Sequence, residues 1–309
     1  MATVGIDVGG TKCLGVAIAG GEVAAELKVP TPAAAPDLLA TLAALARELE
    51  SAAGEPVTGL GVGVPGLVDR AGVLHFAPNL KGAEGLDVRA GVAQETGLAV
   101  AVDNDATCAA WGERQLGAAQ GMDDVVLVTL GTGIGGGIVV DGRIERGAQG
   151  FAGEVGHMVV DPHGPPCPCG RRGCWERFAS GSGLGELARQ AALAGRAGRV
   201  VELAGGDAEA VQGEHVSLAL AEGDREAAAV VAGYAEWLAL GLANLAYIFD
   251  PEAIVVGGGV VNMGEALFGP ARAALRRELP AATSVAVLPA TLGERAGAIG
   301  AAFLAPDGG

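Results

Sequence analysis

The chain has 309 residues, half of them hydrophobic, with 53 glycines and only 4% aromatic side chains. Thirty-six acidic against 20 basic residues leave a net charge of −16, which repels nucleic acid and anionic membranes, so neither is an expected partner. Apolar content this high excludes intrinsic disorder, the glycines lack the three-residue period of collagen, and the length suits two domains of ordinary size.

The opening residues carry neither a basic stretch nor an apolar leader, so a cytoplasmic chain is expected. Val4–Val8 and Leu14–Ala19 read as strands joined by a glycine turn, a hairpin rather than a strand-to-helix crossover. Leu38, Leu39, Leu42, Leu45 and Leu49 fall at helical spacing within Pro36–Ala53, with Asp37 as the expected N-cap. Leu60–Val64 is a third strand, ending in Pro65–Gly66. Leu98–Val102 is a fourth, and it runs into Asp103, Asn104 and Asp105 at the head of a helix.

Val125–Leu130, a glycine turn over 131–137 and Ile138–Val140 then repeat the opening strand-turn-strand design. That internal symmetry predicts a duplicated α/β domain with a cleft between the copies. Ala227–Phe249 is long and apolar, but Glu236, Asn244 and the lack of flanking basic anchors favour a core helix over a membrane span. The strand Ala253–Val256 leads into Gly257, Gly258, Gly259 and Val260, and Arg295–Leu304 reads as a closing helix.

Chemistry concentrates in three places. His157 precedes Cys167, Cys169 and Cys174, a full tetrahedral set for structural zinc. A disulfide is disfavoured by the cytoplasmic setting and by Cys-X-Cys geometry. Cys13 and Cys108 stand alone in apolar surroundings, as small buried hydrophobes. The turns Gly9-Gly10-Thr11-Lys12 and Gly131 to Gly137 present backbone N–H groups suited to polyphosphate, although neither matches the Walker pattern. Gly257–Gly259 offers a third close backbone approach for the adenosine part of a nucleotide. Among the acids, Asp7 is placed to hold Mg²⁺ through water. The Asp103–Asp105 run suits either a helix cap or a general base. Glu154 and Glu176 bracket the cysteine segment, where carboxylates can read sugar hydroxyls, and Trp175 beside them is expected in the core.

Together these motifs resemble the ROK family of repressors and sugar kinases, most closely its bacterial ATP-dependent glucokinases. The matching pieces are Asp7–Lys12, Gly61–Gly66, Ala77–Leu80, Asp103–Ala106, Leu130–Gly137, Glu154–His157, Cys167–Glu176 and Gly257–Val260. They occur in family order along nearly the whole chain. The resemblance implies two actin-like, ribonuclease H-like α/β domains around a central cleft. The first would cover 1–113, completed by 296–309, and the second 114–295 with the zinc segment.

The resemblance further implies phosphoryl transfer from Mg-ATP to the 6-hydroxyl of glucose, with Asp105 as catalytic base. Asn79, Asn104, Asp105, Glu154, His157 and Glu176 would bind the sugar. Asp7, Gly9, Gly10, Thr11 and Lys12, with Thr132 and Gly133, would hold phosphates, and Gly258 and Gly259 the adenosine. His157 would serve zinc with one ring nitrogen and the sugar with the other. A homodimer or homotetramer is the implied assembly. Fructose, mannose and N-acetylmannosamine remain alternative substrates and polyphosphate an alternative donor. A tryptophan common in relatives after Ala77–Leu80 is absent here. A repressor would need a DNA-reading module, and the first strand begins too early to leave room for one. A non-catalytic sugar sensor is disfavoured by the intact acid and phosphate turns.

Overall fold

The computed structural model describes residues 1–32, 34–77, 80 and 82–306. In chain order its first elements are β1 (Ala2–Val8), β2 (Lys12–Ala19), β3 (Glu22–Pro30), α1 (Ala35–Ala53) and β4 (Val57–Val64). Next come β5 (Leu67–Val68), β6 (Val73–Phe76), β7 (Leu86–Asp87), α2 (Val88–Thr96), β8 (Ala99–Asn104) and α3 (Asp105–Leu116). Three strands follow, β9 (Val125–Leu130), β10 (Ile134–Val140) and β11 (Arg143–Ile144). The remainder is α4 (Glu176–Ala179), α5 (Gly181–Leu193), α6 (Gly198–Leu203), α7 (Gly213–Ala221), α8 (Arg225–Phe249), β12 (Ala253–Gly257), α9 (Glu265–Glu278), β13 (Ala286–Pro289) and α10 (Ala296–Leu304). The chain divides into two compact units. The first comprises Met1–Leu127, Gly137–Gly153 and Thr291–Gly309, and the second Val128–Gly136 and Glu154–Ala290.

The first unit is built on a sheet of order β3-β2-β1-β4-β8. β1, β2 and β3 form an antiparallel meander, while β1, β4 and β8 run parallel. β1, β2 and β4 are buried almost throughout, as central strands covered on both faces must be, whereas the edge strand β3 alternates. On one face α1 packs Leu38, Leu42, Leu45 and Leu49 into the core, each 1% exposed or less, and each contributing roughly 1.5–3 kcal/mol by burial. On the other face Ala298, Ile299 and Ala302 of α10 meet Leu14, Val16 and Ile18 of β2. Gly61 makes this approach feasible: a methyl group there would overlap the carbonyl of Ala301.

A second sheet has the order β11-β10-β9-β12-β13. The repeated strand-turn-strand units therefore occupy corresponding places: in each sheet the first strand of the pair adjoins both its hairpin partner and a later strand. β12 is wholly buried and pairs parallel to β13. α8 is long and apolar enough to cross a membrane. Its apolar positions Val230, Tyr234, Leu238, Leu242 and Leu245 are buried inside the protein. Trp175 is fully buried against Gly241 of α8 and its indole N–H donates to the Trp237 carbonyl at 2.8 Å, which makes it the core residue expected.

Two local expectations are corrected. Asp37 lies inside the first turn of α1, whose N-cap is Ala34 with no side-chain bond. The second glycine turn is only Gly131–Gly133, closed by Gly131 N–H donating to Gly133 O at 3.0 Å, and Ile134 already begins β10. Gly137 is thus a strand residue. Its lack of a side chain lets β10 approach Ala106, Thr107 and Ala110 of α3.

Glu113 on α3 is completely buried. Its carboxylate accepts backbone N–H bonds from Ala118 at 2.8 Å, Thr291 at 3.0 Å and Leu292 at 2.8 Å, tying the segment before α10 to α3. Removing that acceptor leaves several buried donors unmatched. Glu113→Ala is expected to cost about 3–5 kcal/mol, read as a lower urea midpoint with an unchanged m-value; a loss below about 1 kcal/mol would refute the tether.

Candidate active site

In the first unit the candidate residues gather at the carboxyl ends of the parallel strands. The register pairs Asp7 with Gly63 and Gly63 with Asp103, so β1, β4 and β8 end level. Crevices at such strand ends are where open α/β sheets bind ligands. Asn104 ends β8 and caps α3, its Oδ1 accepting from the N–H groups of Ala106 at 2.9 Å and Thr107 at 3.1 Å, while Nδ2 donates to Gly66 O at 3.1 Å. Asp105 is the first residue of α3 and its Oδ1 accepts its neighbour's N–H at 2.8 Å. The three acids are therefore treated differently. Asp103 is buried and accepts from Arg146 Nε at 2.6 Å. Asp7 has one buried oxygen, Oδ1, with no hydrogen-bond partner among the described residues. Burial first, and the charge of Asp105 second, raise the Asp7 carboxyl to about 7. An orphaned, desolvated carboxylate oxygen of this kind fits a divalent cation or its bound water, which is what the Mg²⁺ expectation requires.

The turn between β1 and β2 is closed by Gly9 N–H donating to Lys12 O at 2.9 Å, and Thr31 Oγ1 donates to Gly9 O at 2.7 Å. Gly10, Thr11 and Lys12 are exposed. The Lys12 ammonium is paired with Glu294, which also holds Lys28. Glu294 was not legible as a partner of the loop, since 282 residues separate it from Lys12. Cys13 and Cys108 are buried, and burial pushes both thiols up, which keeps them protonated and inert. Asn79, together with Pro78 and Lys81, lies outside the described residues.

In the second unit His157, Cys167, Cys169 and Cys174 place their ligand atoms within 4.8 Å of one another. Cys169 and Cys174 sulfurs are 3.6 Å apart, and Cys167 Sγ is 3.8 Å from His157 Nδ1. A tetrahedron of Zn–S bonds of about 2.3 Å has edges of about 3.8 Å, so the donor set and its spacing fit zinc. Four protein ligands leave no open position, which makes the site structural. His157 turns its other nitrogen, Nε2, toward Glu154 at 3.7 Å, and Glu176 accepts from Cys167 Sγ at 3.0 Å. Gly133 adjoins this group: a Cβ there would come within 2.7 Å of Glu176 Oε2.

The same unit contains a cavity of about 820 Å³ lined by Thr132 and Gly259 along with Ser182, Arg189, Glu214 and Asn262. The first turns of α5 and α7 contribute Gly181 and Gly213 to it, and the N-termini of these helices favour anionic groups. Gly258 sits behind the cavity wall, where any side chain would strike the Leu130 backbone. Arg189 is held toward it by Glu186 at 2.6 Å and the Val211 carbonyl at 2.9 Å. Sequence reasoning found Thr132 and Gly259 and missed the others, which come from distant segments without a local motif.

Comparison with known proteins agrees with this architecture. The ROK family model matches residues 3–308. A glucokinase of Streptomyces coelicolor is 40% identical over 99% of this chain and 98% of its own length. An N-acetylmannosamine kinase of Escherichia fergusonii is 36% identical over 99% of this chain and 98% of its own length. The crystal structure of a ROK family glucokinase from Streptomyces griseus in complex with glucose and AMPPNP superposes with a TM-score of 0.85, at 40% identity and 99% coverage of both chains. The chain belongs to the ROK family, and its fold is the two-domain actin-like α/β fold of these sugar kinases.

Two outcomes follow from the site. Cys169 is exposed, so Cys169→Ser removes a ligand with little packing loss; bound zinc, measured by mass spectrometry, is expected to fall from about one per chain to a small fraction. Normal stoichiometry would reject the metal site. For Asp7 the folded state favours the neutral acid, so the group destabilises the ligand-free protein as pH rises from its unfolded pKa through about 7. Asp7→Asn should therefore be more stable than the parent by about 4 kcal/mol at pH 8, with the gain vanishing near pH 4; a gain independent of pH would contradict the burial argument.

Proposed function

We propose that this chain catalyses transfer of the γ-phosphoryl group of ATP to the 6-hydroxyl of glucose. The observation that carries the reading is the full-length likeness to a glucokinase bound to glucose and AMPPNP, with an aspartate, Asp105, at the strand end in this chain. Asp105 takes the proton of the attacking hydroxyl and is worth about 10²–10⁴-fold in rate. Asn104 fixes the start of α3 and so the position of that carboxylate. Glu154, the free nitrogen of His157 and Glu176 bind sugar hydroxyls, with Asn79 and Asn104 completing the set. Ligation of one His157 nitrogen by zinc, with Cys167, Cys169 and Cys174, would fix its tautomer and direction.

Thr132 and Gly259, which line the cavity of the second unit, serve the nucleotide there, with Gly133 and Gly258 adjacent in the same turns. Gly9 to Lys12 serve the phosphates in the first unit. Lys12 exchanges Glu294 for phosphate oxygen, an exchange made easy because an exposed ion pair is weak in solvent. Asp7 would hold Mg²⁺ through water, and the bound cation would neutralise phosphate charge. Positioning and charge neutralisation supply most of the acceleration, and no covalent enzyme intermediate is needed.

The likeness to an N-acetylmannosamine kinase over the same span keeps that amino sugar as a second reading. A coupled assay with Mg-ATP against glucose, N-acetylmannosamine, fructose and mannose separates them by kcat/KM. Glucose is expected to lead; a tenfold preference for another hexose would move the substrate and leave the mechanism. Asp105→Asn is expected to lower kcat by about 10²-fold or more while zinc content and melting temperature are retained. A variant that keeps a tenth of the activity would remove Asp105 from its role.

A further inference from the structure

The first unit holds a cavity of about 260 Å³ that none of the assigned roles uses. Its lining combines apolar residues, Val62, Val102 and Cys108 among them, with three arginines, Arg70, Arg89 and Arg146. In a chain of net charge −16, three arginines around one small cavity are a concentration of positive charge against the background. We propose that this cavity is a second ligand site, taking a compact phosphate group, free or as a small phosphate monoester.

Two carboxylates also line the cavity; Asp69 is occupied by donors other than the arginines, while Asp103 compensates Arg146 and leaves Arg70 and Arg89 as the uncompensated pair. Asp69 accepts from the N–H groups of Ala71 and Val73 through Oδ1 and from His75 Nε2 at 2.8 Å through Oδ2. Asp103 accepts from its neighbour's N–H at 2.9 Å and from Arg146 Nε at 2.6 Å. Arg70 is steered by Gly147 O, to which Nε donates at 2.9 Å, and Arg89 by Arg70 O, to which Nη2 donates at 2.9 Å. These carbonyl bonds aim Arg70 and Arg89 without neutralising them, whereas Arg146 is paired with Asp103. Arg89 Nε is buried with no partner among the described residues. A buried charged donor left open is costly unless a ligand oxygen meets it, and forked guanidinium donors suit the tetrahedral phosphate.

The arrangement is also built by the backbone. Arg89 lies across Gly72, which has φ 88°, and a Cβ there would come within 2.7 Å of Arg89 Cβ. A side chain at residue 72 would push the arginine out of the cavity. The volume exceeds that of a phosphate ion several-fold and leaves room for a short organic remainder beside Val62, Val102 and Leu304. Occupancy has a consequence for turnover. A phosphate engaging Arg146 competes with Asp103, and the backbone of Asp103 leads directly into Asn104 and Asp105. Ligand binding therefore lowers kcat without competing with either substrate.

The inference rests on the proposed reaction only for that kinetic consequence; binding is tested without turnover. Calorimetric titration of the zinc-loaded protein with inorganic phosphate and, separately, glucose 6-phosphate is made with glucose and AMPPNP saturating. Binding of one of them at about millimolar concentration or below is expected to persist under these conditions and to weaken at least tenfold in Arg89→Gln. The two titrants distinguish free phosphate from a phosphate monoester. Arg89→Lys, which keeps the charge and loses the fork, is expected to lie between them and guards against a folding defect. Binding abolished by the saturating substrates, equal affinity in Arg89→Gln, or no heat at about 10 mM of either titrant would overturn the site.

Discussion

The segment from Glu154 to Glu176 depends on four ligand atoms. It contains one 3₁₀ turn, Val155–His157, and two isolated bridges, Val159 with Cys174 and Pro166 with Arg172. No helix face or sheet ladder is available to hold so irregular a chain, and a metal held by His157, Cys167, Cys169 and Cys174 would supply the missing constraint. At its end the buried Trp175 anchors the segment to α8 through the Trp237 carbonyl. Between these two fixed points the directions of Glu154, His157 and Glu176 are set. Three polar side chains on an untethered loop would sample many orientations, and each immobilised one would cost conformational entropy on binding.

The first unit solves a different problem, that of keeping carboxylates close together at strand ends. Level endings of β1, β4 and β8 bring Asp7 and Asp103 to either side of Gly63, with Asp105 two residues further on. Asp103 is neutralised by Arg146, Asp105 takes the N-terminal end of α3, and Asp7 is left desolvated. Environments that push neighbouring carboxyl groups apart are what allow one to hold a cation while another moves a proton. The stability lost at Asp7 is recovered elsewhere in the same unit, in the α1 leucines and the Glu113 tether.

Much of this was legible in the sequence, for reasons that can be named. The strand-turn-strand repeat is visible because apolar runs and glycine turns are local signals, and the metal quartet because its ligands lie within eighteen residues. What stayed hidden is assembled from distant segments. Glu294 reaches Lys12 across the whole unit, Ser182 and Asn262 meet Thr132 in one cavity, and Arg70, Arg89 and Arg146 meet around another. Glycine was the least readable signal. Gly133 stands beside the Glu176 carboxylate, whereas Gly137, four residues on, is required by strand-to-helix packing. A sequence shows that a side chain is missing and not what fills its place. Asp37 failed as a cap because the helix begins two residues before it.

The scarcity of lysine sharpens the reading of the phosphate turn. Only Lys12, Lys28 and Lys81 occur among the 20 basic residues, and the first two converge on Glu294. A guanidinium at residue 12 would bind a carboxylate in a fixed fork, while an ammonium is a compact point charge on a flexible stem. The pair is half exposed, so its net strength is small and screened by salt. Glu294 retains Lys28 when Lys12 leaves, and its charge stays compensated throughout the exchange. In its proposed role such an arrangement would keep the cation beside the glycine turn in the absence of nucleotide, ready for release at little energetic cost. That is the requirement for a group that must meet a highly charged ligand on every turnover and let it go again.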